Sequence, residues 1–317
     1  QRKNVLSPRF YRFLANISRF NKEAPEILED PRYADYSLEQ YIEEKNYSVD
    51  ILHRYLVPMS SAVWSTPPDK MLQFPAATLV RFFKNHGFLG LDTQHQWRTV
   101  VGGSKVYRDL LIAPFKERIR VGNPVIRVWR EDGLAFVKTS DGVALVYDKV
   151  IFACHADEAL NLIADPTPLE QTLLSKFTYQ ENRVTLHTDA AVMPRTARTW
   201  SSWNYRIEEN GTPSMIYWMN SLQRVSQKKN YFVSINDSGT VRQELILRDF
   251  MSTHPLFDTA AIRAQNDLPL LNDNGTTYFC GSYFRYGFHE DAYTSSIDLC
   301  RKLLKHPNVG VEREMFA

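Results

Sequence analysis

Apolar residues near the start of the chain recur at three- and four-residue steps. Pro8 opens the run, and Phe10, Phe13, Leu14, Ile17 and Phe20 follow on one helical face. Ser37, with Glu39 and Gln40 behind it and Tyr41 and Ile42 next, marks a second helix start. The pattern predicts helices to about residue 57. Pro58, Pro67, Pro68 and Pro75 then punctuate the chain, and residues 76–86 read as a helix ended by Gly87.

The pattern changes at Trp97, where short apolar runs begin to alternate with turn signals. Residues 99–101, Gly102-Gly103 and a helix carrying Val106, Leu110 and Leu111 come first. Runs at 119–121 and 125–129, a hairpin about Asp132-Gly133, a strand at 135–139, a turn at Asp141-Gly142 and a strand at 144–153 follow. Within the last, residues 150–153 are apolar throughout, which predicts a strand covered on both faces. A helix at 156–163 is next. Residues 182–236 carry four predicted strands, 184–187, 200–205, 215–219 and 231–235, whose alternating Trp and Tyr suggest an antiparallel sheet. A strand at 276–280, a break at Gly281, an aromatic loop and a helix at 292–305 close the sequence.

Composition narrows the class. The chain has 317 residues, 44% hydrophobic and 23% charged, values of an ordinary globular protein with room for two domains. Lys and Arg total 38 against 36 Asp and Glu, too balanced to indicate nucleic-acid binding. Cys154, Cys280 and Cys300 are three and widely spaced, which gives neither a disulfide framework nor a metal-ligand pattern. A reducing, cytoplasmic location is the expectation and no metal is expected. No apolar run approaches the ~18 residues of a membrane span, which leaves peripheral membrane contact open.

Chemistry-bearing residues cluster late in the chain. Tyr283, Tyr286, His289, Glu290 and Asp291 precede the last helix, whose N-terminus offers free N–H groups and a positive dipole end. Aromatic packing with acidic capping accounts for the same residues. His289, Glu290 and Tyr286 are the candidates for proton handling. The Gly102-Gly103-Ser104 turn reads as a tight turn as readily as an anion site. His155, after a buried strand, is either a helix cap or an acid–base group.

Ten blocks of residues, in order, carry a resemblance. They are Pro8-Arg9-Phe10 with Arg19-Phe20-Asn21, Trp64-Ser65-Thr66-Pro67, Phe83-Lys84-Asn85-His86, Trp97-Arg98-Thr99-Val100 with Gly102-Gly103, and Asn123-Pro124-Val125. Val150 through Asp157, Leu186-His187-Thr188-Asp189, Ser202-Trp203-Asn204-Tyr205, Tyr217 through Asn220 with Leu222-Gln223, and Tyr286 through Asp291 complete the set. Together they resemble FAD-dependent oxidoreductases of the flavin-containing amine oxidase superfamily. The nearest branch is the bacterial-type predicted NAD/FAD-binding protein, itself similar to the N-terminal half of plant cyclopropane fatty acid synthases.

The resemblance implies a mixed α/β (α+β) fold, in which an FAD/NAD(P)-binding Rossmann-like domain is interleaved with a substrate domain of antiparallel sheet plus helices. Residues 97–165 and 269–317 would belong to the flavin domain, and 1–96 and 166–268 to the substrate lobe. The family's G-x-G-x-x-G turn is missing, since no two glycines stand two positions apart. An N-terminally truncated fragment, binding FAD weakly by itself, is the expectation, and natural loss of FAD is the alternative.

Site residues follow from the same resemblance. Pro124 and Val125 would meet the adenine end of FAD through the backbone, and Ala153 and Cys154 would lie over the dinucleotide. Gly102 and Gly103, with Arg98, would approach the flavin. Gly281 and Ser282 would lie near its ribityl and phosphate groups. Asp291, Ala292 and Ser295 would place a helix N-terminus at the pyrimidine edge. The family's active-site lysine falls near Asn182 or Arg183, and no lysine stands between Lys176 and Lys228. Hydride transfer from an acyl, isoprenoid or other hydrophobic small molecule is therefore expected in place of amine oxidation. Trp203, Tyr205, Tyr217, Trp218 and Asn220 would wall that substrate, with core packing as the other reading of each. A non-catalytic partner or scaffold for a lipid-modifying methyltransferase is the alternative function.

Overall fold

The computed structural model describes residues 6–64, 66–207, 213–273 and 275–304. The chain forms two compact units that alternate along the sequence, residues 1–118 with 180–259 and residues 119–179 with 260–317.

The first unit opens with α1 (Pro8–Glu23), started by Pro8 and burying Phe20. α2 (Leu38–Glu44) starts where expected, at a capping box: Gln40 N–H donates to Ser37 Oγ at 3.2 Å, and Ser37 N–H donates to Gln40 Oε1 at 2.9 Å. α3 (Val49–Ile51) runs through a π turn at Leu52–Leu56 into α4 (Val57–Trp64). Pro58 was expected to interrupt the chain. It instead sits in α4, just after the widened turn, and such turns relieve the i−4 crowding a proline ring creates. α5 (Pro68–Leu72), α6 (Ala76–Asn85) and α7 (Lys105–Ile112) complete the helices. Phe20, Leu38, Tyr41, Ile51, Leu56, Leu79 and Phe83 are buried among them.

α6 stops at a Schellman turn. Gly87 N–H donates to Lys84 O and Phe88 N–H to Phe83 O, with Gly87 at φ +69° and the Phe83 and Phe88 rings 5.7 Å apart. Residues 99–101, expected as an apolar run of strand type, form no strand. Val101 is 91% exposed, and the run bends into the Gly102-Gly103 turn.

In the second unit, β1 (Val125–Glu131), β2 (Leu134–Thr139) and β3 (Ala144–Tyr147) form an antiparallel meander. Asp132 and Gly133, both at positive φ, make the predicted hairpin turn. The strand expected over 144–153 divides into β3 and β4 (Val150–Phe152). β4 is not covered on both faces, since Ile151 is 46% exposed in a sheet of two strands. α8 (Ala156–Leu162) and α9 (Pro168–Leu174) follow.

The chain then returns to the first unit. β5 (Thr178–His187), β6 (Trp203–Ile207), β7 (Pro213–Trp218), β8 (Phe232–Ile235) and β9 (Ile246–Leu256) form a sheet in the order β6-β7-β8-β5-β9. Between β7 and β8 lies the short helix α10 (Met219–Gln223). Successive residues of β7 serve opposite faces. Met215 packs with Ala62, Val184 and Ile235, while Ile216 packs with Val192, Phe232 and Val241. β9 escaped the sequence pattern because Ile246, Leu247, Phe250 and Met251 fall at helical rather than alternating spacing.

α11 (Thr259–Gln265), β10 (Thr277–Phe279) and α12 (His289–Leu304) complete the second unit. β10 pairs parallel to β4 in the register Thr277↔Val150, and Phe152 stacks on Phe279. Lys305, the expected end of the last helix, lies outside the described residues. Among the described residues no helix is long and apolar enough to cross a membrane.

Candidate functional site

Parallel strands β4 and β10 end at the same edge of their sheet, the edge at which open α/β sheets bind ligands. Ala153, Cys154 and His155 leave β4 for α8, and Cys280, Gly281 and Ser282 leave β10. Cys280 N–H donates to Phe152 O at 3.0 Å and extends the ladder by one rung. A Cβ on Gly281 would lie 2.6 Å from Tyr283 Cε1, so glycine there makes room for the tyrosine ring. Tyr283 is 1% exposed, its Oη has no hydrogen-bond partner among the described residues, and burial pushes its phenol up.

Two thiols at this edge keep their protons. Burial, helped by the nearby Glu158 and Asp157 carboxylates, pushes the Cys154 thiol up to about 11, and burial raises Cys280 as well. Tyr179 Oη accepts the Ala156 N–H at 2.9 Å, and its ring stacks on His155 at 4.1 Å. His155 thus stands at the head of α8. Neither thiol is a nucleophile at neutral pH in this setting.

α12 begins at His289, three residues earlier than the pattern gave, so Glu290 and Asp291 occupy its first turn rather than the loop ahead of it. Asp291 Oδ2 accepts the Phe288 N–H at 2.9 Å, and burial raises its carboxyl. Ser295 Oγ accepts the Gly281 N–H at 2.9 Å and donates to Ala292 O at 2.8 Å. That single hydroxyl ties the end of β10 to the first turns of α12. The fold thereby gathers Ala153, Cys154, Gly281, Ser282, Asp291, Ala292 and Ser295, with Tyr286 half-buried and His289 and Glu290 exposed. Pro124 and Val125 lie at the exposed start of β1, where Pro124 O accepts the Ser140 N–H.

Arg98, Gly102 and Gly103 belong to the first unit, where they line a cavity of about 950 Å3 together with Trp97, Ser202, Ser221, Leu222 and Arg224. Gly102 and Gly103 both take φ near +85°, a conformation only glycine adopts without strain. Trp97 is held by His86, stacked 6.0 Å away, and by the edge of Trp203 at 5.7 Å, and Trp203 meets Tyr217 at 6.0 Å. Tyr205 packs against Ala62, Val184 and Met215, and Trp218 Nε1 donates to Asn230 Oδ1. Asn220 Nδ2 donates to the carbonyls of Ser226 and Lys229, and its Oδ1 accepts the Tyr231 N–H, so it fastens the loop after α10.

Sequence reasoning missed Ser202, Ser221 and residues 222–225 of this wall. A cavity wall has no periodicity, and α10 is too short to show one. Asn182, near the position where the resemblance expects lysine, is fully buried, with Nδ2 3.1 Å from His254 Nδ1 and Oδ1 accepting from Asn236 Nδ2.

No protein-family model matches the sequence, and no curated protein is significantly similar to it. Solved structures do share its fold. Wild-type putrescine oxidase bound to putrescine superposes with a TM-score of 0.66 at 12% identity, over 93% of this chain and 76% of that one. Cyclohexylamine oxidase from Brevibacterium oxydans gives 0.61 at 12%, over 94% and 76%. The CLA-producing fatty acid isomerase from P. acnes gives 0.58 at 12%, over 93% and 75%. The chain therefore has a mixed α/β fold similar to that of these oxidases and this isomerase.

Proposed function

We propose that this protein is an FAD-dependent oxidoreductase that takes a hydride from a C–H bond of a hydrophobic small molecule. The observation that carries this reading is the shared edge of β4 and β10. There Tyr283 keeps a buried hydroxyl without a partner among the described residues, beside Gly281 and the start of α12. A fold similar to that of two oxidases supports it. The residues fit a dinucleotide held through backbone groups: Pro124 and Val125 toward one end, Ala153, Cys154, Gly281 and Ser282 along it, and the first turns of α12 with Asp291, Ala292 and Ser295 at the other.

FAD, when bound, supplies the hydride acceptor. The chain's own part is to hold that acceptor beside protonated thiols and phenols, for Cys154, Cys280, Tyr179 and Tyr283 all carry raised pKa values. In this reading His289, Glu290 and Tyr286, at or beside the first turn of α12, take the proton that accompanies hydride loss. In the first unit, Trp97 lines the cavity and is braced by Trp203, which meets Tyr217 in turn. The lack of a lysine near Asn182 and Arg183 directs the chemistry away from amines. The three cysteines, free in the structure, suit a reducing cytoplasmic setting.

The test is the protein expressed from its complete gene, purified and titrated with FAD. Stoichiometric flavin uptake, and bleaching under anaerobic conditions by hydrophobic candidate substrates, is the expected result. A protein that takes up no flavin overturns the proposal.

A further inference from the structure

We infer that the cavity of the first unit binds an amphipathic carboxylic acid, its head between Arg98 and Arg224 and its chain along Trp97, Val101, Leu222 and Val225. This deepens the proposed function by naming a substrate class, and it rests on that reading only for the word substrate. The lining carries two guanidinium groups and no carboxylate. Neither arginine has an ion pair or a side-chain hydrogen bond among the described residues. Where arginines of the same unit meet a carboxylate they pair with it: Arg9 with Asp50, Arg183 with Asp249, and Arg242 with Asp189. Two uncompensated forks on one cavity attract an anion and repel an ammonium group.

The remaining wall selects what the anion is attached to. Val101 is 91% exposed, Trp97 59% and Val225 49%, so apolar surface faces the cavity unburied. The Ser202 and Ser221 hydroxyls, 2.9 Å apart, add donors beside it. A Cβ on Gly103 would meet nothing within 4 Å, which leaves the backbone of that turn open to close approach. A volume of about 950 Å3 is at the upper end of what small-molecule sites offer and holds a medium or long chain with its head group. The Arg224 backbone is held at the end of α10 in the left-handed region, with its N–H on Asn220 O.

The experiment is calorimetric titration of the flavin-free protein with decanoate, decylamine, decanol and inorganic phosphate. Decanoate is expected to bind, decylamine and decanol to bind at least tenfold more weakly, and phosphate not to displace decanoate. Arg98→Gln and Arg224→Gln should each weaken decanoate roughly tenfold to a hundredfold, the range for losing a charged hydrogen bond. Arg198→Gln, on an exposed turn of the same unit, should leave it unchanged. Thermal melts of each variant show that the fold is intact. Decylamine binding as tightly as decanoate, phosphate competing with it, or indifference to both arginine substitutions would overturn the inference. Because no flavin is present, its failure is distinct from that of the oxidoreductase reading: arginine-dependent decanoate binding beside a protein that takes up no flavin sinks only the latter.

Discussion

Arg130 grips Glu170 with both ends of its guanidinium, Nη1 to Oε1 at 2.7 Å and Nη2 to Oε2 at 3.0 Å. Arg130 comes from β1, Glu170 from the first turn of α9, and Thr277 of β10 also accepts from Arg130 Nη1, at 3.0 Å. Asp165 closes the other side. Three pieces of the second unit, distant in sequence, meet on one side chain. Glu170 also accepts the Thr167 N–H and so caps its own helix.

Glu170→Ala removes the buried partner of this pair and a capping group together, and should cost about 3 kcal/mol in urea unfolding. Glu170→Gln keeps the cap and should cost less. Arg130→Met with Glu170→Leu should recover most of the loss, since no uncompensated charge is left buried.

Gly87→Ala should destabilise by at least ~2 kcal/mol. A Cβ there would lie 1.8 Å from Thr93 O, at a φ of +69° that disfavours it further. Thr93 Oγ1 donates to Gly87 O, and the same turn positions Phe88 and His86 against Trp97. Thermal melting measures the cost, and a loss of Trp97 stacking should appear in near-UV circular dichroism.

Asn220→Ala removes three hydrogen bonds from the loop at 226–231. Faster tryptic cleavage at the exposed Lys228 and Lys229 is expected, with ~1–3 kcal/mol lost in stability. An unchanged cleavage rate would show that the loop is held by other contacts.

Stability should fall in two stages as pH drops. Burial holds the His187 imidazole below its ordinary 6.5; its Nδ1 accepts the Asp189 N–H, which leaves Nε2–H for Ser234 Oγ. The unfolded chain binds a proton that the folded one refuses, so stability is full above about pH 6.5 and declines below it. Arg242, with backbone N–H groups, holds the Asp189 carboxyl far below its ordinary 3.8, and this contribution is lost as pH falls below that value. Melting temperature against pH checks both stages, and His187→Gln should flatten the first.

Local rules made much of this protein legible. The Ser37–Gln40 capping box, the helix stop at Gly87 and the Asp132-Gly133 hairpin each depend on residues within five positions of one another, and each stands where its residues put it. The resemblance gave the kind of fold, which the solved oxidase structures share. Pairing between distant segments was not legible: β9 lacks alternation, and β4 joins β10 only because chain returning after more than a hundred residues lies parallel to it. The cavity with Arg98 and Arg224 is the clearest case. The sequence by itself determined the Gly102-Gly103 turn on its wall, because a turn is set by neighbouring residues and backbone conformation. Only the tertiary structure decided that two arginines 126 positions apart would line one space, because that depends on which surfaces the packed sheet and helices leave uncovered.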